Sequence, residues 1–527
     1  MARLAPFTVS VLLFVAVAAA AVLTVSVAWI VLAVVLGALV ALGVFDLVQR
    51  KHSILRNYPL AGHMRFALEA LRPELQQYFI ERNTDGRPFD RDTRTSIYER
   101  AKGIKDEQAF GTELDVTRPG YEWLLHSVAP LEPPDALPRV RIGSGPHAYD
   151  MALLNVSAMS FGALSKQALI ALNRGAQLGG FAHDTGEGGL TEYHLQGGDL
   201  VWELGSGYFG ARLRDGGFDA HEFADKAGHT HVKLVSLKLS QGAKPGIGGQ
   251  LPGSKVTAEI AKARDVPQGR PCVSPAAHTA FHTPRELIRF IARMRELAGG
   301  KPAGFKLCVG HRFELLAICK AMLEEDTTPD FIVVDGAEGG TGAAPMEYAD
   351  HVGTPLTEGL MTLHNALVGA GLRDRIRVGA SGKVATGSDI VKRLAQGADY
   401  TNAARAMMMA VGCIQSQECH LNTCPVGVAT QDPKRARALD IPDKTERVRR
   451  YQEAAVKEAV RIMASMGVDD PTKLTPQLLM RRVDEHTTCS YAELYEWLEP
   501  GELVSGDPRE SWAREWAMAD PDSFRPR

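Results

Sequence analysis

From Leu4 to Phe45 the chain carries no charged residue. At 1.5 Å per residue a helix of about 40 residues would reach ~60 Å, twice a ~30 Å hydrocarbon core, so two crossings fit better than one. The reversal is expected near Thr24 to Ser26, although neither Gly nor Pro marks it. Arg3 before the run and Arg50, Lys51 and Arg56 after it place positive charge at both ends, which the positive-inside rule satisfies when both face the cytoplasm. The run is far too long for the apolar core of a cleaved signal peptide, and no convincing cleavage site follows it. Residues 1–48 are therefore expected to form a transmembrane helical hairpin in the cell inner membrane, with the remainder of the chain on the cytoplasmic side.

The pattern then turns polar. Residues 49–148 are rich in Arg, Tyr and Pro, with helical stretches at Gly62 to Glu69 and Pro73 to Glu81, and read as a connecting cap whose surface is solvated, partner-facing or laid over a barrel. From Met151 short apolar runs alternate with helical segments, as in repeated βα units. Strands are expected at Leu153 to Ala158, Phe181 to Asp184, Leu234 to Leu239, Pro271 to Ser274, Phe305 to Val309, Phe331 to Asp335, Ile376 to Ala380 and Tyr400 to Ala403. Eight in a row suggest an α/β fold of the (β/α)8 TIM-barrel type over residues 149–433, with chemistry at the carboxy ends of the strands. A doubly wound sheet is the alternative, but no G-x-G-x-x-G follows the first strand. Residues 434–527 read as a helical extension, with an amphipathic helix from Thr445 to Met466 and a Trp-rich end from Tyr491 to Trp516.

Composition narrows the chemistry. A formal net charge of −3 over 527 residues argues against nucleic acid as the main partner. Of seven cysteines, Cys413, Cys419 and Cys424 form a C-x5-C-x4-C pattern beside Pro425 and Gly427. Thiolates suit iron–sulfur clusters and zinc; a three-iron cluster takes one cysteine per iron, whereas structural zinc wants a fourth ligand. His420 would strain to be that ligand, because it directly follows Cys419. Three reduced loop cysteines are the plain alternative. Cys272, Cys308, Cys319 and Cys489 lie among apolar neighbours and read as reduced core thiols in a reducing compartment. Lys238 and Lys306 fall on otherwise apolar strands, where an unpaired ammonium would be costly, so each is expected to meet an anion. For Lys306 that anion is a bound ligand or, failing that, Asp335 or Glu187.

Five blocks carry a family resemblance: MSFGALS at Met159 to Ser165, DTGEGG at Asp184 to Gly189, LSQGAKPGIGGQLPG at Leu239 to Gly253, GGTGAAP at Gly339 to Pro345, and CHLNTCPVGVATQ at Cys419 to Gln431. In content and order they resemble the synthase domain of glutamate synthases, over Leu153 to Pro433. The family's amidotransferase and β-helical domains are not expected in this chain. The resemblance implies FMN and a [3Fe-4S] cluster held by Cys413, Cys419 and Cys424, with electrons entering through the cluster. Gly379 to Lys383, with Gly382 and Lys383 at its turn, and Ala403 to Arg405, with Ala404 and Arg405, resemble the paired phosphate loops of FMN barrels. Ser160, Lys238, Lys306, Gly339, Gly340 and Thr341 are the further cofactor-binding candidates. Motif matching places the grip on 2-oxoglutarate at Lys244, Gln250 and Arg264. Glu187 is the acid for flavin or iminium, or else a loop salt-bridge partner. Ile247 stands where the family motif has a glutamate. His278 and His282 are general-acid or helix-capping candidates.

The implied reaction is reductive amination of 2-oxoglutarate, through its 2-imino acid, to L-glutamate. The nitrogen source is ammonia, an amine as in N-methylglutamate synthases, or a separate glutaminase; the electron donor is a ferredoxin or partner flavoprotein. A membrane-bound flavin and iron–sulfur electron relay is the rival class.

Overall fold

Two long apolar helices open the chain, α1 (Ala5–Thr24) and α2 (Val27–Val48), both long and apolar enough to cross a membrane. They pack antiparallel, and two glycines of α2 admit phenylalanines of α1. A Cβ on Gly37 would lie 3.0 Å from the Phe14 ring, and one on Gly43 only 2.3 Å from Phe7. The chain reverses at Val25, which is left-handed (φ 48°), within the span expected from the sequence. After α2 come the short α3 (Ser53–Asn57) and α4 (Gly62–Leu75), the latter running on as a π turn over Gln76–Ile80. The computed structural model describes residues 2–104 and 107–527, and the chain divides into two units, Met1–Arg91 and Asp92–Arg527.

In the second unit eight parallel strands close into a barrel: β1 (Leu154–Val156), β2 (His183–Asp184), β3 (Leu200–Leu204), β4 (Val232–Lys238), β5 (Ala303–Leu307), β6 (Phe331–Asp335), β7 (Arg377–Ser381) and β8 (Tyr400–Ala403). Seven of these overlap the expected strands. The exception is a correction: Pro271 to Ser274 is not a barrel strand. Cys272–Val273 instead pairs antiparallel with Gln250–Leu251 above the barrel. The strand that takes its place is Leu200–Leu204, LVWEL, in which an acid interrupts the apolar run. Trp202 faces outward and stacks on Phe223 with ring centroids 4.9 Å apart, while Glu203 turns inward to the ammonium of Lys306.

The alternation of strand residues fills the barrel in layers. At the amino-terminal end Ala182, Val201, Leu234, Phe331, Val333 and Tyr400 form an apolar plug, closed by Ile142 and Met151 of the hairpin Arg139–Ile142 and Tyr149–Ala152. Above it the same strands present Asp184, Glu203, Lys306 and Asp335, a charged layer sealed from water on one side. Outside the barrel, helix Ile441–Ser465 lies against helix Lys166–Gly179, closely enough that a Cβ on Gly175 would meet Val448 at 2.6 Å. The long helix also reaches the barrel wall, where Gln452 Nε2 donates to the Leu154 carbonyl at 3.0 Å. The Trp-rich end packs on helix Arg312–Glu324, with Arg312 over Trp512 and Lys320 over Trp516.

Candidate active site

The loops after β1, β2, β4 and β6 converge on one cluster of charges. Lys238, the last residue of β4, donates through Nζ to Glu187 Oε1 at 2.8 Å and to Gln241 Oε1 at 3.1 Å. Glu187 is walled by backbone: a Cβ on Gly249 would lie 2.2 Å from its Oε1 and one on Gly205 2.4 Å from its Oε2, so a side chain at either place would push the carboxylate from its seat. Burial raises the Glu187 pKa, but Lys238, its hydrogen bond, Arg264 and Lys244 together outweigh that and hold it below the ordinary carboxylate value. The carboxyl is therefore an anion at neutral pH.

Arg264 is buried at the end of helix Ala258–Arg264. Its Nη2 donates to the Phe161 carbonyl at 3.0 Å and to Ser160 Oγ at 3.3 Å, and the guanidinium lies 5.2 Å from the centre of the Phe209 ring. Its Nε is buried with no hydrogen-bond partner among the described residues. Lys244, only 2% exposed, donates to the Ala343 carbonyl at 3.3 Å. Burial first, and then the charge of Lys238, push its pKa down to about 8, against the pull of Glu187. Gln250, by contrast, is exposed on the small hairpin, immediately after the Gly249 that abuts Glu187. The loop carrying Lys244 is pinned across the rim. Gly242 N–H donates to Asp335 Oδ2 at 2.8 Å, and its Cα sits so close to the next loop that a Cβ would meet the Gly336 carbonyl at 1.9 Å.

Beneath this rim Lys306 is ion-paired with Glu203, and not with Asp335 or Glu187, the carboxylates the sequence offered as alternatives to a ligand. Burial lowers the Lys306 pKa, but Glu203, Asp184 and Asp335 override it and hold the ammonium charged. Burial and then Glu203 raise the Asp184 pKa, against Lys306. Glu203 escaped the sequence reading, its one usable signal being a single acid inside the apolar LVWEL run, and Asp184 was read as part of a motif without a role.

The phosphate-loop candidates sit where β7 and β8 run side by side, Ser381 opposite Asn402. Gly382 (φ 150°) and Lys383 (φ 49°) form the turn after β7, both in the positive-φ region that a tight glycine turn uses. Ala404 follows β8, and Arg405 donates to the Glu338 carbonyl at 2.5 Å. Gly340 lies against the Arg405 side chain, 2.8 Å from its Cδ for an added Cβ; Gly339 abuts the Gly336 carbonyl, and Thr341 is exposed. A cation at Arg405 beside a glycine turn at the end of two adjacent strands is a setting that suits a phosphate.

Among the described residues no three His, Cys, Asp or Glu side chains gather closely enough for a single metal ion. Cys413, Cys419 and Cys424 nevertheless share one electrostatic field. Burial and then the other two thiols raise Cys413 to about 12, against the Gln415 N–H that donates to its sulfur at 3.4 Å. Lys255, buried and missed by the sequence reading, donates to the Ala429 carbonyl at 3.3 Å and acts on Cys419 and Cys424. The thiol segment touches the site directly. A Cβ on Gly342 would lie 3.5 Å from Cys419 Cβ, and the next residue, Ala343, accepts from Lys244. Gln431 ties the segment's other end to the Leu164 carbonyl at 2.8 Å.

His278 is neither a helix cap nor exposed. It bridges the Tyr208 hydroxyl at 3.1 Å and the Lys238 carbonyl at 2.8 Å, and burial pulls its pKa down to about 4. The cap of helix Pro284–Leu297 is Thr283, while His282 donates its backbone N–H to Glu286.

Residues 146–469 match the family model of the conserved region in glutamate synthase. The chain is 36% identical over 481 residues to the glutamate synthase large subunit-like protein YerD of Bacillus subtilis, covering 83% of this chain and 91% of that protein. It is 35% identical over 317 residues to an archaeal-type glutamate synthase (NADPH) of Thermotoga neapolitana, covering 59% of each chain. With the glutamate synthase (NADPH) large chain of Bacillus subtilis it shares 33% identity over 352 residues, which is 64% of this chain but 22% of that one.

Proposed function

The chain belongs to the glutamate synthase family, and from that footing we propose that it is an oxidoreductase acting on the CH–NH2 group of donors, making L-glutamate from 2-oxoglutarate and ammonia or an amine. The observation that carries this reading is a charge balance at the barrel mouth. Lys238, Lys244 and Arg264 surround one carboxylate, Glu187, leaving a cationic excess that matches a dicarboxylate. Arg264 offers a planar fork to one carboxylate and Lys244 a point charge to the other, with Gln250 supplying an amide donor. Glu187, held ionised, accepts from the N–H of the iminium form and so favours the cationic imine. Loss of water on imine formation is helped by the buried setting of Lys244 and Arg264.

Gly382, Lys383, Ala404 and Arg405 would hold an FMN phosphate, with Gly339, Gly340, Thr341 and Ser160 along the cofactor and Lys306 and Lys238 on its N1 side. Bound there, FMN supplies the hydride, the chemistry being the cofactor's own. Cys413, Cys419 and Cys424 would hold a [3Fe-4S] cluster, which supplies single electrons from a ferredoxin or partner flavoprotein. The Cys419 contact with Gly342 places that segment one loop from Lys244. α1 and α2 are the membrane anchor, both ends cytoplasmic, with residues 49–148 connecting it to the barrel at 149–433 and 434–527 as the barrel's extension.

Titrating the FMN-loaded protein with 2-oxoglutarate tests the reading. A saturable change in the flavin spectrum is expected, together with iron and sulfide bound to the protein. No spectral response at millimolar concentration, with or without ammonia, would assign the chain to electron relay or to another substrate.

A further inference from the structure

α4 is exposed where a soluble helix would bury an apolar face. Met64, Leu68, Leu71, Leu75 and, in the π turn that follows, Phe79 fall at i, i+4, i+7, i+11 and i+15, one stripe of a helix. They are 66%, 55%, 56%, 43% and 80% exposed. Arg65 and Arg72 flank the stripe on one side. Along that side runs an open groove of about 590 Å³, lined also by Ile54 of α3 and by Tyr58, which follows it. The level of α4 is fixed from the last turn of α2. There the buried Asp46 accepts from His63 Nε2 at 2.9 Å and from the Leu60 N–H at 3.0 Å, tying the start of α4 to the end of the apolar hairpin. Between positions 49 and 75 the chain carries five Arg or Lys against two Glu.

We propose that α4 and the turn after it lie in the plane of a membrane surface, the stripe sunk among lipid chains and Arg65 and Arg72 at the depth of anionic phospholipid headgroups. The inference rests on the reading that α1 and α2 cross a bilayer. The Asp46 tether then leaves the stripe nowhere deeper than the headgroup boundary, which is where a helix with one apolar face and basic flanks is stable. A lipid chain fits the groove between α3 and α4, with its phosphate toward the arginines. The interaction would hold the first unit flat against the bilayer in a way that a bare two-helix anchor does not.

The test uses the full chain in vesicles of phosphatidylcholine and phosphatidylglycerol that contain a phospholipid with a photoreactive diazirine at the top of its acyl chain. After illumination, adducts are mapped by mass spectrometry. Adducts on both 5–48 and 62–80 are expected. Replacing Leu68→Asp together with Leu75→Asp should cut those on 62–80 about fivefold and leave those on 5–48 unchanged, since the charges disrupt the stripe alone. Adducts on 5–48 but none on 62–80 would overturn the inference and leave the hairpin reading standing. Adducts on neither would remove the hairpin reading and this inference with it. An unchanged yield of adducts on 62–80 in the double variant would overturn the inference, since labelling there would not depend on the apolar stripe.

Discussion

Lys244 is the residue whose environment makes the sharpest demand. Its pKa is depressed to about 8, so the ammonium that must meet a carboxylate is fully present below that pH and is lost as pH rises through it. Binding of 2-oxoglutarate should therefore weaken roughly five- to tenfold per pH unit above about 8. Lys244→Arg, charged throughout, should flatten the dependence; isothermal titration across pH checks both. At Arg264, substitution by Lys keeps the charge but gives up the planar fork and the shared contacts to Phe161 and Ser160. A loss of ~1.5–3 kcal/mol, or roughly 10- to 150-fold in affinity, is expected, with FMN content unchanged because the phosphate turn is made by other loops. Equal affinity in Arg264→Lys would mean that no bidentate contact forms. Lys244 and Arg264 were legible in the sequence only through the motif, since nothing local marks either as buried. Lys306 was legible as a cation needing an anion, but its partner Glu203 was not, because pairing across three strands leaves no local signature.

At the scale of elements, glycines decide the shape of the mouth. Gly242 is the clearest, its Cα pressed on the Gly336 carbonyl while its N–H is held by Asp335. Gly242→Ala forces backbone apart and should destabilise the barrel by about 1–3 kcal/mol, read as a lower thermal midpoint. It should also displace Lys244, raising the Kd for 2-oxoglutarate more than a change confined to stability would. An unaltered Kd would show that the loop finds a second seat. Period and β-branching made most strands readable, as in Phe331–Asp335, which is buried at every position and found with the same bounds. They failed at β3 because Glu203 breaks the apolar run, and at Cys272–Val273 because a short apolar pair between Pro and Ser gives no clue that its partner is antiparallel and outside the barrel.

For the whole molecule the two units carry different physics, a long apolar helical hairpin and a closed barrel. Removing residues 2–48 is expected to yield a water-soluble protein that still binds FMN, since each phosphate-loop candidate lies in the second unit; gel filtration with flavin absorbance reads both. Aggregation without flavin would mean that the barrel depends on the anchor. The two apolar helices were legible because forty uncharged residues admit few readings, whereas the start of the second unit at Asp92 had no compositional edge to mark it. The central claim, that the charges at the barrel mouth serve the reduction of a dicarboxylic imine, has one direct test. The full chain, loaded with FMN and reduced anaerobically, is mixed with 2-oxoglutarate and an ammonium salt, and flavin absorbance and L-glutamate are followed together. The account predicts flavin reoxidation with one L-glutamate formed per flavin, and neither when 2-oxoglutarate is left out. Reoxidation that proceeds with an electron-accepting dye but not with 2-oxoglutarate and ammonium or methylamine would contradict it.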